Sequence, residues 1–93
     1  MSSRPRAYIG ELRFHEEVEA KIERKHGLSR REVESALLYT TPVEARWHTH
    51  DLFGERLIVR ARTPSGRAIV CYLAPVDEVA GIWICKTAMP RRR

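Results

Sequence analysis

Apolar positions along this chain keep one spacing up to Pro42 and another beyond it. Ala7–Phe14 alternates loosely and predicts a short first strand, with Gly10 a candidate bulge. His15–His26 then reads as a helix. Val18 and Ile22 lie one turn apart, Glu16 and Glu17 meet the positive N-terminal end, and Arg24, Lys25 and His26 meet the negative C-terminal end. Gly27 is placed for a left-handed C-cap. Ser29 and Glu32 have capping-box spacing, and Leu28 and Val33 hold the two hydrophobic-staple positions. A second helix over Arg30–Leu38 follows, ended by Thr40-Thr41-Pro42.

Beyond Pro42 the period is two. Ala45–Thr49 predicts a short strand, Arg56–Arg62 a second and Arg67–Ala74 a third, with hairpin-turn chemistry at Thr63-Pro64-Ser65-Gly66. Residues Val76–Gly81 form a longer turn before a last strand at Ile82–Thr87. The predicted fold is α+β: an N-terminal strand, a two-helix hairpin, then an antiparallel β-meander, the helices packed on one face of a curled sheet.

Length sets the scale. At 93 residues and 10.8 kDa the chain makes one domain, and such a domain buries about 60–65% of its unfolded surface. Ser2–Arg6 and Pro90–Arg93 read as loose basic tails, within the ends 1–6 and 90–93. No apolar run is long enough to span a bilayer and no signal peptide is expected, so the expectation is a cytoplasmic protein with no membrane partner. Cys71 and Cys85 form no CxxC pair, which fits a reducing compartment.

Charge changes the picture more. The net charge is +5, from 17 Lys+Arg against 12 Asp+Glu. Residues 1–45 hold eight basic and eight acidic groups, whereas residues 46–93 hold nine basic against Asp51, Glu55, Asp77 and Glu78. The whole excess lies in the half predicted to be sheet. Fourteen of the basic residues are Arg, whose planar fork suits phosphate, although a GC-rich genome would give the same bias. An anionic partner is expected: nucleic acid or an acidic protein segment.

The chemistry-bearing residues fall into few groups. His48 and His50 share one face of an extended strand next to Asp51, which suits two metal ligands or a histidine pair near a phosphate. A zinc site needs further ligands that the sequence does not supply at metal-ligand spacing, and a solvated strand end is the preferred reading; no metal and no cofactor are expected. Arg60 and Arg62 share a sheet face, and Lys86 joins them if its strand is a neighbour. Arg46, Arg56 and Arg67 complete the RNA-binding candidates. Tyr72 or Trp83 would stack a base, though each reads more readily as core. Lys25-His26-Gly27 is explained by the helix dipole and cap alone. No Ser/His/Asp elbow, phosphate-binding glycine loop or EF-hand is present.

The stretch from Phe14-His15 through Arg24-Lys25-His26-Gly27-Leu28-Ser29 to Ala36-Leu37 resembles the N-terminal half of BrnT-type toxins. Glu55-Arg56, Arg62 and Gly66-Arg67 are similar to that family's E-R, G-R and G-R hairpin, and Ile84–Ala88 stands at its final strand. The resemblance spans most of residues 12–89 in order. It implies a RelE/ParE-like fold of order βααββββ and a ribonuclease toxin, held as a hetero-oligomer by a cognate antitoxin. It also matches Lys25, Arg62 and Lys86 to the family's helix-end lysine, hairpin arginine and last-strand basic position.

The function expected on this basis is metal-independent endoribonuclease, in which the RNA 2′-hydroxyl attacks the adjacent phosphate. Arg62 and Lys86 would clamp that phosphate, with Arg60 or Lys25 as a further cation and His26, His48 or His50 as general acid or base. Two alternatives stand beside it: a non-catalytic basic module holding nucleic acid or an acidic partner, and a zinc hydrolase using His48, His50 and Asp51.

Overall fold

A computed structural model describes residues 8–38, 44–52 and 54–91. Its helices follow from local chemistry. The first helix, α1 (Glu16–His26), stops where Gly27 takes a left-handed φ of 65° and donates its N–H to the Glu23 carbonyl. The second, α2 (Arg30–Leu38), starts at the expected box. The Glu32 N–H donates to Ser29 Oγ, the Ser29 N–H donates to Glu32 Oε1, each at 3.1 Å, and Leu28 and Val33 are fully buried beside it.

Five strands form one sheet: β1 (Glu11–Arg13), β2 (Glu44–His50), β3 (Gly54–Arg62), β4 (Ala68–Asp77) and β5 (Ile82–Pro90), in spatial order β1-β5-β4-β3-β2. The expected α+β class is what the structure shows. The sheet is mixed rather than wholly antiparallel, because β1 runs parallel to β5. The expected strand at Ala7–Phe14 contracts to three residues, and Ala7 lies outside the described residues. Gly10 is not a bulge in that strand. Its N–H and that of Glu11 both donate to the Gly81 carbonyl, at 2.8 and 2.9 Å, which ties the N-terminal segment to the start of β5.

The final strand also runs three residues past its expected end. Pro90 stands across from Ile69, and the Arg91 N–H donates to the Ala68 carbonyl at 2.9 Å. Pro90 and Arg91 are therefore sheet-bound rather than part of a loose tail. Residues 1–7, 92 and 93 lie outside the description. At the other end, β4 continues through Pro75 to Asp77, shortening the expected turn. Pro75 is tolerated because the β3–β4 register stops at Leu57↔Leu73, so its missing N–H costs no ladder bond to β3.

Alternation sorts the strands into two faces. Leu57 and Val59, Ile69, Cys71 and Leu73, and Trp83, Cys85 and Ala88 pack with Ile22, Leu28, Val33, Ala36 and Leu37 of the helical layer. Trp83 is the largest buried side chain. Its Nε1–H donates to the Tyr8 carbonyl at 2.8 Å, and its ring lies 5.6 Å from that of Trp47 on the outer strand β2. Trp83 is thus a core residue and no base platform.

The two thiols are free and buried on this face. Burial pushes Cys85 up to about 12, and burial followed by the neighbouring Cys85 charge holds Cys71 well above the ordinary thiol value.

Two stability predictions follow from this packing. Gly81 has a φ of 74°, and a Cβ there would run into the Tyr8 ring and come within 2.9 Å of its carbonyl oxygen. Gly81→Ala should cost about 2–3 kcal/mol in urea unfolding, against about 1 kcal/mol for Gly27→Ala, where the added carbon meets open space. The folded state holds its thiols protonated, whereas the unfolded chain releases those protons near the ordinary value of 9.0. The unfolded state therefore binds fewer protons above that pH. Stability should be complete below pH 9 and fall as pH rises toward 12, by about 4 kcal/mol from Cys85. Denaturant titrations across that range should show the slope shrinking in Cys85→Ala.

Candidate nucleic-acid interface

The face away from the helices carries the basic excess. Register places its residues in rows across the strands. One row runs Arg46–Ile58–Tyr72–Thr87, the next Glu44–Arg60–Val70–Met89, and on the other side His48 stands opposite Arg56. Arg62 ends β3 opposite Ala68. No helix among the described residues covers this face. Even so, Ile58 is only 8% exposed, and Val70, Tyr72, Ile84, Thr87 and Met89 are half-buried.

Its centre is Tyr72. The Arg56 guanidinium carbon sits 4.7 Å from the centre of the Tyr72 ring. Arg56 Nε is buried and has no hydrogen-bond partner. Such a donor is costly unless a ligand satisfies it, at about 1–3 kcal/mol. On the other side of Tyr72 the ladder slips: Tyr72 pairs with Thr87 but Leu73 pairs with Cys85, leaving Lys86 as the extra residue of a β-bulge. Cys85 points to the core and Thr87 shares the Tyr72 row, so alternation sends the exposed Lys86 to the open face beside that ring. Arg56, Tyr72 and Lys86 thus lie side by side on β3, β4 and β5, with Arg46 and His48 on β2 completing the group.

Other candidates do not join it. Arg62 lies about 15 Å from Lys86 along the strand direction and two strands away, too far for the expected clamp on one phosphate. Its Nη1 donates to the Gly66 carbonyl at 3.0 Å, so it braces its own hairpin. Lys25 and His26 end α1, which lies against β5 in the layer covering the opposite face. Arg67 holds the helical turn together, donating from Nη2 to His26 O and from Nη1 to Gly27 O, both at 3.1 Å, with Glu32 at 3.8 Å. Arg60 meets Glu44 at 3.7 Å on the exposed edge, a contact of little energetic weight.

His50 shares the His48 face, but its Nδ1 accepts the Leu52 N–H at 3.1 Å in the β2–β3 turn. Its proton therefore resides on Nε2. Asp51 lies in that turn, and among the described residues no group of three or more His, Cys, Asp or Glu side chains gathers to hold a metal ion. Two shallow depressions border the acidic start of α1, lined by His15, Glu16 and Glu17 and by Glu16, Glu19, Ala20 and Glu23, a poor setting for an anion. No helix among the described residues is long and apolar enough to cross a membrane.

Sequence reasoning placed Tyr72 in the core, and its parity was the signal against that. It alternates out of phase with Ile69, Cys71 and Leu73, which are all fully buried. The bulge at Lys86 had no such signal.

This division of labour among arginines predicts that Arg67→Ala, which loses the contacts closing the helical turn, costs about 1 kcal/mol in urea unfolding. Compared with models of protein families, with curated proteins and with solved structures, the chain matches none.

Proposed function

We propose that this chain is a metal-independent endoribonuclease toxin that holds single-stranded RNA on the open sheet face. The carrying observation is the Arg56 guanidinium stacked on Tyr72 with a buried, unsatisfied Nε, flanked by Lys86 and by Arg46 and His48. A phosphate oxygen can accept from the Arg56 fork, whose plane the ring fixes. The half-buried apolar residues around Tyr72 offer contact area for bases, which suits a single strand better than a duplex. Membership of the RelE/ParE-like, BrnT-type toxins is part of this reading. It is supported by the motifs around Lys25-His26-Gly27 and by the element order β1-α1-α2-β2-β3-β4-β5. An acidic antitoxin would neutralise the protein by covering the same face.

In this scheme the 2′-oxygen attacks the adjacent phosphorus and the P–O5′ bond breaks. The products are a 2′,3′-cyclic phosphate and a 5′-hydroxyl, the leaving 5′-oxygen taking its proton from solvent water. Arg56 and Arg46 balance charge on the phosphorane oxygens, where preorganised donors act most strongly. His48, directly across from Arg56, takes the 2′-hydroxyl proton as general base. Lys86, three strands and about 14 Å from His48, holds a neighbouring nucleotide rather than the scissile phosphate.

The test is incubation of the purified chain with single-stranded RNA in EDTA, beside growth on induced expression. Cleavage leaving the cyclic phosphate and growth arrest are expected, with Arg56→Ala and His48→Ala each slowing cleavage about 100-fold. Arg62→Ala should lose only a few-fold. Binding by Arg46, Arg56 and Lys86 should give a log–log salt slope of about −2. RNA held with that slope but left intact would make the chain a binding module, and RNA neither held nor cut would sink both readings.

A further inference from the structure

We propose that β2 pairs with β2 of a second copy of this chain, antiparallel about a twofold axis through Trp47, joining two five-stranded sheets into one of ten strands. The sheet order leaves β2 and β1 as the edges. β1 is three residues long, which blunts it, and its flanking charges Glu11 and Arg13 are bound to each other at 2.7 Å. β2 is the opposite case. Its seven residues pair with β3 in unbroken register from Glu44↔Arg60 to His50↔Gly54, without proline or bulge. A long regular edge presents its backbone donors and acceptors to any strand that fits, and folded proteins ordinarily block such edges.

The strand fits itself. Centred on Trp47, the pairing sets Glu44 of one copy against His50 of the other, Ala45 against Thr49, Arg46 against His48, and Trp47 against Trp47, each pair occurring twice save the central one. An acid meets an imidazole at both ends. The hydrogen bond from Leu52 to His50 Nδ1 makes Nε2 the donor, as a carboxylate partner requires. Sliding the axis to Arg46 would instead set the two Arg46 guanidiniums face to face, which charge repulsion disfavours. Trp47 also suits the axis. It is half-buried on the helix side and packed at 5.6 Å on Trp83, and the axis sets a second indole directly across from it.

A twofold axis perpendicular to the sheet keeps the helices of both copies on one side. The two open faces then merge, and Arg46, His48 and Arg56 of each copy line a continuous basic track across the axis. The dimer stands on the edge geometry alone; only the use of the track rests on the RNA reading.

Sedimentation equilibrium of the full chain tests the proposal, with RNA binding measured on the same samples. A dimer is expected. Glu44→Lys should weaken it about tenfold, and adding His50→Glu should restore it. In Ala45→Cys/Thr49→Cys, mild oxidation should give a covalent dimer, because those positions oppose each other only between copies and the native thiols are buried. A chain that stays monomeric into the millimolar range overturns the proposal, as does a dimer indifferent to Glu44→Lys and not cross-linked at these positions. A monomer that still binds RNA through Arg56 removes the dimer and leaves the RNA reading standing. A dimer that ignores RNA does the reverse.

Discussion

One-sided burial organises this molecule. Two helices of 11 and 9 residues lie against one face of a five-stranded sheet, so alternation along β3, β4 and β5 decides the fate of each side chain. Odd-numbered positions of β3 and β4 go to the helices and supply Leu57, Val59, Ile69, Cys71 and Leu73. Even-numbered positions go to the other side and supply Arg56, Ile58, Arg60, Arg62, Val70 and Tyr72. A one-residue slip between β3 and β4 would exchange Tyr72 for Cys71 and dismantle core and basic face together. The register is consequently overdetermined, and the two faces are parts of one constraint.

What was legible in the sequence tracks how local each determinant is. Ser29, Glu32, Leu28 and Gly27 act within five residues of one another, and α2 begins and ends where they and the apolar pattern place it. The basic surface was legible for a related reason: period-two alternation is a local property, and charge follows it. The pairing of β1 with β5 was not, because it depends on Gly81 offering its carbonyl to a segment some seventy residues away. Arg67 is similar. Its spacing in the hairpin suggested a phosphate ligand, yet it reaches back forty residues to the carbonyls that end α1. Nothing within its neighbourhood encodes that reach.

Arginines on this chain therefore divide by what satisfies them. Arg67 and Arg62 donate to backbone carbonyls, and Arg30 lies over Phe14 while meeting Glu19 and Glu34. Those groups have found protein acceptors. Arg56 has found a ring for its face and nothing for its Nε. Stacking fixes the plane of the guanidinium without consuming its donors, which keeps the fork preorganised for an anion and limits the entropy lost on binding.

The same geometry separates function from stability. Residues on the open face contribute little to the helix-covered core, so exchanging Arg46, His48 or Arg56 leaves the residues that hold the fold in place. Ile58 is the exception, being nearly as buried as the core while lying among the arginines. It stands between Arg46 and Tyr72 in one cross-strand row. Shortening it would remove buried apolar contact between the cation and the ring, so this face rests in part on an aliphatic side chain that carries no charge of its own.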